Sequence, residues 1–289
     1  AFYSATKLVD ITIPGSVKTI GVGAFRDCWK MTKATLPEGL ETIPRECFIG
    51  CRKLESVNIP DSVTTIGNMA FTGCALKEIN ISKNLTEISI PGYTFSGCPA
   101  AITVDAANPN YSADERGVLY NKDKSLLLHC PNFEKAFTFD INCNIDQYAF
   151  YNCANLTDVT FSYAIKKIPY AAFRNCGSLK ITTVPDTVRM IDQVAFDGCG
   201  MTEFYLPDSV EYVGTQAFSS TPLTHFEFND KVDTFKNIFS ICPKLRTVVV
   251  GKGIKKIEIG ALGGTNRIDT IYYRGTKRDW DQINVVDVE

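Results

Sequence analysis

The chain has 289 residues, 45% hydrophobic and 21% charged, with a formal net charge of −2. This is ordinary globular composition. With no long run of one charge sign it lacks the footprint of a nucleic-acid binder, and no apolar run approaches the ~20 residues that span a bilayer. A length above ~250 residues often implies two domains, but a one-dimensional repeat array escapes that limit.

Taken in order, Phe2 to Leu8 repeats the spacing of Phe25 to Met31, so residues 1–7 read as the tail of a preceding repeat in a longer array, with any signal peptide outside this sequence. Repeat openings then fall at Leu8, Met31, Leu54 and Leu76, every 22 or 23 residues over residues 8–100. The unit is plainest from Leu54 to Ala75. Val57 and Ile59 alternate around Asn58 with the period of a strand. Pro60, with no N–H for a ladder, suits a strand exit, and Asp61 and Ser62 suit a turn. Val63 and Ile66 form a second short apolar pair before Gly67, and Ala70, Phe71 and Cys74 fall on one side of a single helical turn. No such piece buries enough surface alone; stacked copies share a continuous core, the logic of a solenoid.

Residues 101–140 interrupt the pattern. Val118-Leu119-Tyr120 and Leu126-Leu127-Leu128 flank Asn121 to Lys124, which predicts a β-hairpin. Such an insertion is either a binding element or an ornament. Repeats resume over residues 141–273, opening at Leu156, Leu179, Met201, Leu223, Leu245 and Ile268. The phenylalanine of the Ala-Phe element recurs as Phe25, Phe48, Phe71, Phe95, Phe150, Phe173, Phe196, Phe218 and Phe239, with Leu262 last, and reads as a core spine. Residues 274–289 depart from the pattern and are expected to cap the last coil. Thr276 is placed to N-cap a helix with Asp279 three residues on, and Trp280 to anchor it.

The spacing L-x-x-I-x-I-P-x-S-V-x-x-I-G-x-x-A-F-x-x-C resembles the BspA-like leucine-rich repeats of bacterial and some protist surface proteins. Gly117 to Pro131 and Ile271 to Ile283 also look like elements that accompany such repeats. The resemblance implies one leucine-rich-repeat domain over 1–289. Its fold class is an α/β, β-rich repeat solenoid: a right-handed superhelix with a parallel concave sheet, short helical turns and one hairpin insertion. It further implies cell-surface or secreted display and adhesion to host proteins such as fibronectin and fibrinogen. Asn229 and Gly251 stand in the proline slot of their repeats, where regular curvature is not expected.

Most of the eleven cysteines, Cys28, Cys51, Cys74, Cys98, Cys153, Cys176, Cys199 and Cys242, hold the slot three after the phenylalanine. Thr221 and Thr265 fill that slot elsewhere, so it calls for a small, weakly hydrogen-bonding group rather than half a bridge. Cys130 and Cys143 lie outside the ladder and are the candidates for a disulfide. Cysteines about 23 residues apart with only two histidines supply no metal site, and no cofactor is expected. His129-Cys130 resembles a nucleophile pair, but neighbours on a strand point to opposite faces and no third group orients them, so no enzyme activity is expected. Gly251 to Gly253 lack the strand–loop–helix context of a phosphate cradle, and Asp114 with Glu115 reads as a solvated loop. Asn80, Asn84, Asn110 and Asn155 carry glycosylation sequons, relevant only in a eukaryotic secretory pathway.

The outward slot beside the last strand apolar residue reads Thr12, Thr35, Asn58, Asn80, Thr160, Thr183, Tyr205, Glu227, Val249 and Tyr272. It begins as a ladder of small polar groups and becomes larger toward the C-terminus. Tyr205, His225, Glu227, Val249 and Tyr272 are therefore the candidate binding residues, tyrosine being enriched at protein interfaces. The plainer reading is that Tyr and Val are simply good strand formers. The function expected is a non-catalytic surface module binding a protein ligand, with an intracellular scaffold or a passive spacer as alternatives.

Overall fold

The repeat folds as one three-sided coil. The computed structural model describes residues 1–132, 135–265 and 268–286. Two compact units emerge, residues 1–133 with 146–153, and residues 134–145 with 154–289. Each is a β-solenoid of stacked parallel strands.

In the first unit the opening strand of each repeat joins Asp10–Thr12, Lys33–Thr35 and Ser56–Asn58 into one parallel sheet and Glu78–Ile81 with Ala101–Val104 into another. The ladder thus runs into the stretch read from sequence as the insertion. The second side stacks Thr42–Ile43, Thr65–Ile66 and Glu87–Ile88. The third side is the Ala-Phe turn, which also bonds coil to coil: the Phe25, Phe48 and Phe71 N–H groups donate to Cys47, Ala70 and Thr94 carbonyls at 3.0, 2.8 and 3.1 Å. Gly67 is required where this turn meets the coil below, since a Cβ there would lie 2.4 Å from the Arg45 nitrogen.

The second unit repeats the plan. Ala136–Thr138 pairs with Asp158–Thr160, and Glu203–Tyr205, His225–Glu227, Thr247–Val250 and Thr270–Tyr273 form a four-stranded parallel sheet. Pairing stays in register through the coils of Asn229 and Gly251. Asn229 is buried, accepts the Lys231 and Val232 N–H groups, and donates to the Pro207 and Val210 carbonyls at 2.5 and 2.7 Å. Its amide thus holds four backbone groups of two successive turns. Asn108 does the same in the first unit.

The phenylalanine spine forms as expected. Phe2, Phe25, Phe48, Phe71 and Phe95 stack in parallel with centroids 5.4 to 6.0 Å apart. Within the second unit, Phe173, Phe196 and Phe218 form a stack of the same kind at 5.4 and 5.5 Å. Burying each ring contributes about 1.5–3 kcal/mol. Beside the spine runs a thiol ladder. Cys28, Cys51 and Cys74 donate to the carbonyls of Phe2, Phe25 and Phe48, one coil back, at 3.1, 3.0 and 3.2 Å; Cys199 and Cys242 do so to Phe173 and Phe218. Thr221 and Thr265 instead donate to the carbonyl three residues before them, which is why a hydroxyl substitutes for the thiol. All eleven cysteines are buried thiols. Cys130 and Cys143 are therefore not bridged: the Cys130 thiol donates to the Pro131 carbonyl at 3.7 Å, and burial raises Cys143 to about 11.

The predicted hairpin is present, and a third strand joins it: Tyr111–Ala113, Leu119–Asn121 and Leu126–His129 are antiparallel neighbours. The Tyr111 hydroxyl accepts the Ile88 N–H at 2.9 Å, so the insertion finishes the coil it interrupts. At the other end, Thr276 and Asp279 form the expected reciprocal cap on helix Lys277–Trp280. This helix buries none of its residues. Trp280 rests on Tyr273 with centroids 5.2 Å apart, and Asn284–Val286 then pairs with Lys256–Glu258. This pairing extends the sheet of Thr234–Phe235 and Lys256–Glu258 by one strand; residues 287–289 of the expected cap lie outside the described residues.

Candidate functional site

The four-stranded sheet of the second unit collects all five candidate residues on its outward side. Cross-strand register places Tyr205, Glu227, Val249 and Tyr272 in one row, and Glu203, His225, Thr247 and Thr270 in the next. The row exists because each strand has period two and each repeat offers its second polar position to the same face. Tyr205 and Tyr272 are 39% and 60% exposed at its two ends; Glu227, Val249 and His225 between them are half-buried.

The middle of the face is electrostatically organised. Arg274, just past the last strand, pairs with Glu227 and also donates to the Phe228 carbonyl at 3.2 Å. His225 Nε2 lies 3.8 Å from Glu227, and its ring is 5.4 Å from that of Tyr205. The Tyr205 hydroxyl donates to Glu203 at 3.2 Å, and partial burial together with this carboxylate raises the phenol above its usual range. Glu203 and Arg274 were not singled out from the sequence. Arg274 lies 47 residues from Glu227, and only the strand register brings them together.

In the small polar row of the first unit, Asn58 and Asn80 are occupied internally. Asn58 accepts the Leu36 N–H and donates to its carbonyl at 2.7 and 3.2 Å, and Thr103 donates to Asn80 at 2.5 Å. His129 offers no nucleophile pair with Cys130. It is 2% exposed beside Phe95, neither ring nitrogen has a partner among the described residues, and burial lowers its pKa to about 3. Among the described residues no group of His, Cys, Asp and Glu is placed to hold a metal ion, and no helix is long and apolar enough to cross a membrane.

A family model described as a BspA type leucine-rich repeat region matches residues 1–102 and 143–269 in six copies. No sequence among the curated proteins matches the chain. Solved structures share its fold. The pneumococcal vaccine antigen PcpA aligns over 92% of this chain and 79% of its own, with a TM-score of 0.68 and 17% identity. A leucine-rich cell surface protein from Faecalibacterium prausnitzii covers 98% and 78%, with a TM-score of 0.60 and 24% identity. A leucine-rich-repeat protein from Eubacterium ventriosum covers 93% and 83%, with a TM-score of 0.59 and 22% identity. At these identities the likeness is one of fold.

Proposed function

Because the chain belongs to the BspA type leucine-rich-repeat family, we propose that it is a non-catalytic protein-binding module of a cell-surface protein, with the Tyr205–Tyr272 face as its contact surface. Leucine-rich repeats are typically protein-interaction modules, and two of the structures sharing this fold are a cell surface protein and a vaccine antigen. The observation that carries the reading is the pair of exposed tyrosines flanking the ion pair of a half-buried Glu227 with an exposed Arg274 on one parallel sheet. Tyrosine offers large contact area for few lost rotamers, and a prearranged ion pair fixes the register of a partner without the cost of ordering it. The ligand class proposed is an extracellular protein, adhesion to matrix or plasma proteins such as fibronectin or fibrinogen being the specific form.

Surface plasmon resonance at physiological salt tests this with a panel of such proteins and a Tyr205→Ala/Tyr272→Ala variant. Saturable binding that the variant loses supports the face. Binding that the variant retains removes it as the contact surface, and no saturable binding to any panel member removes adhesion to these proteins.

A further inference from the structure

The opening-strand ladder of the second unit breaks once. Asp158–Thr160 pairs with Ala136–Thr138 and Glu203–Tyr205 pairs with His225–Glu227, but the coil between, from Leu179 to Pro185, forms no strand. The cause is one residue. The core slot held by Val159 and Phe204 in the flanking coils falls here on Thr182, whose hydroxyl is costly to bury without a partner. The chain slips: Ile181 turns inward and is buried, Thr182 and Thr183 bulge outward, and Val184 returns to the core.

The slip leaves donors idle. In neighbouring coils the Leu206 and Phe228 N–H groups donate to the Glu227 and Val249 carbonyls, both at 2.9 Å. Among the described residues the corresponding N–H of Phe161, and those of Ile181, Thr182 and Thr183, donate to nothing. The two edges are tied at one end by the Lys180 N–H on the Thr157 carbonyl, 3.1 Å, and then part. Between them opens a crevice of about 410 Å³ lined by Asp158, Val159, Phe161 and residues 180–185. A second hollow of about 390 Å³ shares Phe161 and Pro185 with it and is walled by Phe139, Ile141 and Tyr163. The Phe139 and Phe161 rings stack at 6.4 Å, and Tyr163 stands 83% exposed at the rim.

We propose that this break is a docking groove for an extended peptide segment of a partner polypeptide. Its main chain accepts from the idle N–H groups, and its alternate side chains enter the two hollows. A strand edge with open donors templates another strand. Side chains on one face of an extended chain recur roughly every 7 Å, so successive ones can address two hollows that share the walls Phe161 and Pro185. Aromatic and proline walls favour apolar or aromatic side chains there, and Asp158 with Lys180 leaves the crevice without net charge. The groove does not depend on the Tyr205–Tyr272 face.

A phage-displayed random dodecapeptide library panned on the whole chain supplies the probe. Selected peptides are titrated calorimetrically against wild type, Thr183→Trp, which fills the crevice, and Tyr163→Ala, which removes the exposed wall. Both positions are exposed, so thermal melting of either variant should stay close to wild type. The expected result is saturable binding weakened at least tenfold by each substitution, with hydrogen-exchange protection gained at 158–161 and 181–184. Peptides that bind the variants as well as wild type, protection confined to other segments, or no saturable binder at all overturns the proposal. So does self-association abolished by Thr183→Trp, which assigns the groove to a second copy of the chain.

Discussion

His129 makes the first unit acid-labile, and the size of the effect follows from its surroundings. The imidazole is buried against Phe95 with neither nitrogen partnered, and it stays neutral down to a pKa of about 3. In the unfolded chain it titrates near 6.5. Between these values the unfolded state binds a proton that the folded state refuses, so stability is fully present above pH 6.5 and falls as pH drops toward 3. The loss is about 1.4 kcal/mol per pH unit, or about 2.7 kcal/mol by pH 4.5. Replacing His129→Phe, the residue of the adjoining spine, or His129→Leu removes the titrating group. Urea denaturation followed by circular dichroism at pH 7.5, 5.5 and 4.5 compares each variant with wild type. Other carboxylates shift both curves alike, so the diagnostic quantity is the difference, which should grow in the variants' favour below pH 6.5. A difference that stays flat from pH 7.5 to 4.5 would refute a buried, neutral His129.

Three further outcomes follow from packing. Asn229→Leu strands two backbone N–H groups and two carbonyls, and should cost about 3–4 kcal/mol in urea denaturation; a loss below 1 kcal/mol would show that water replaces the amide. Gly214→Ala places a methyl 2.4 Å from the Gln193 nitrogen, whereas the equivalent Gly21 has nothing within 4 Å. The first should therefore cost about 1–3 kcal/mol and Gly21→Ala almost nothing, and equal effects on melting temperature would contradict the coil spacing. Ile241 is 65% exposed with φ 60° in a turn slot that Asn152 and Asn175 occupy at φ 61° and 62°. A β-branched residue is strained there, so Ile241→Asn should stabilise by about 0.5–1 kcal/mol, read as a rise in melting temperature.

The repeating parts of this fold are legible because a period repeated many times outweighs local ambiguity. The phenylalanine spine, the cysteine slot and the Thr276 cap all follow from spacing and side-chain chemistry. The break at Leu179 to Pro185 was not foreseen, although Thr182 in an apolar slot is its signal. Ile181 and Thr182 are neighbours on opposite faces of a strand, and which of them turns inward depends on a one-residue slip that spacing alone does not resolve. Asn229 is the reverse case: it departs from the repeat consensus, yet the strand register is kept and its side-chain amide holds four backbone groups of the turns. The candidate face was half legible: the tyrosine row follows from the outward slot, whereas Arg274 reaches Glu227 only through a register running across three strands.

The thiol ladder bears on how such a chain can lengthen. Cys51, Cys74 and Cys199 each send their hydrogen to the phenylalanine carbonyl of the coil before them. Duplicating or excising one whole period among such coils therefore splices a donor to an acceptor of the same kind. Unequal recombination between repeats leaves the interior chemically closed at the seam. Array length is then open to drift across generations while the inside of every surviving coil remains the same.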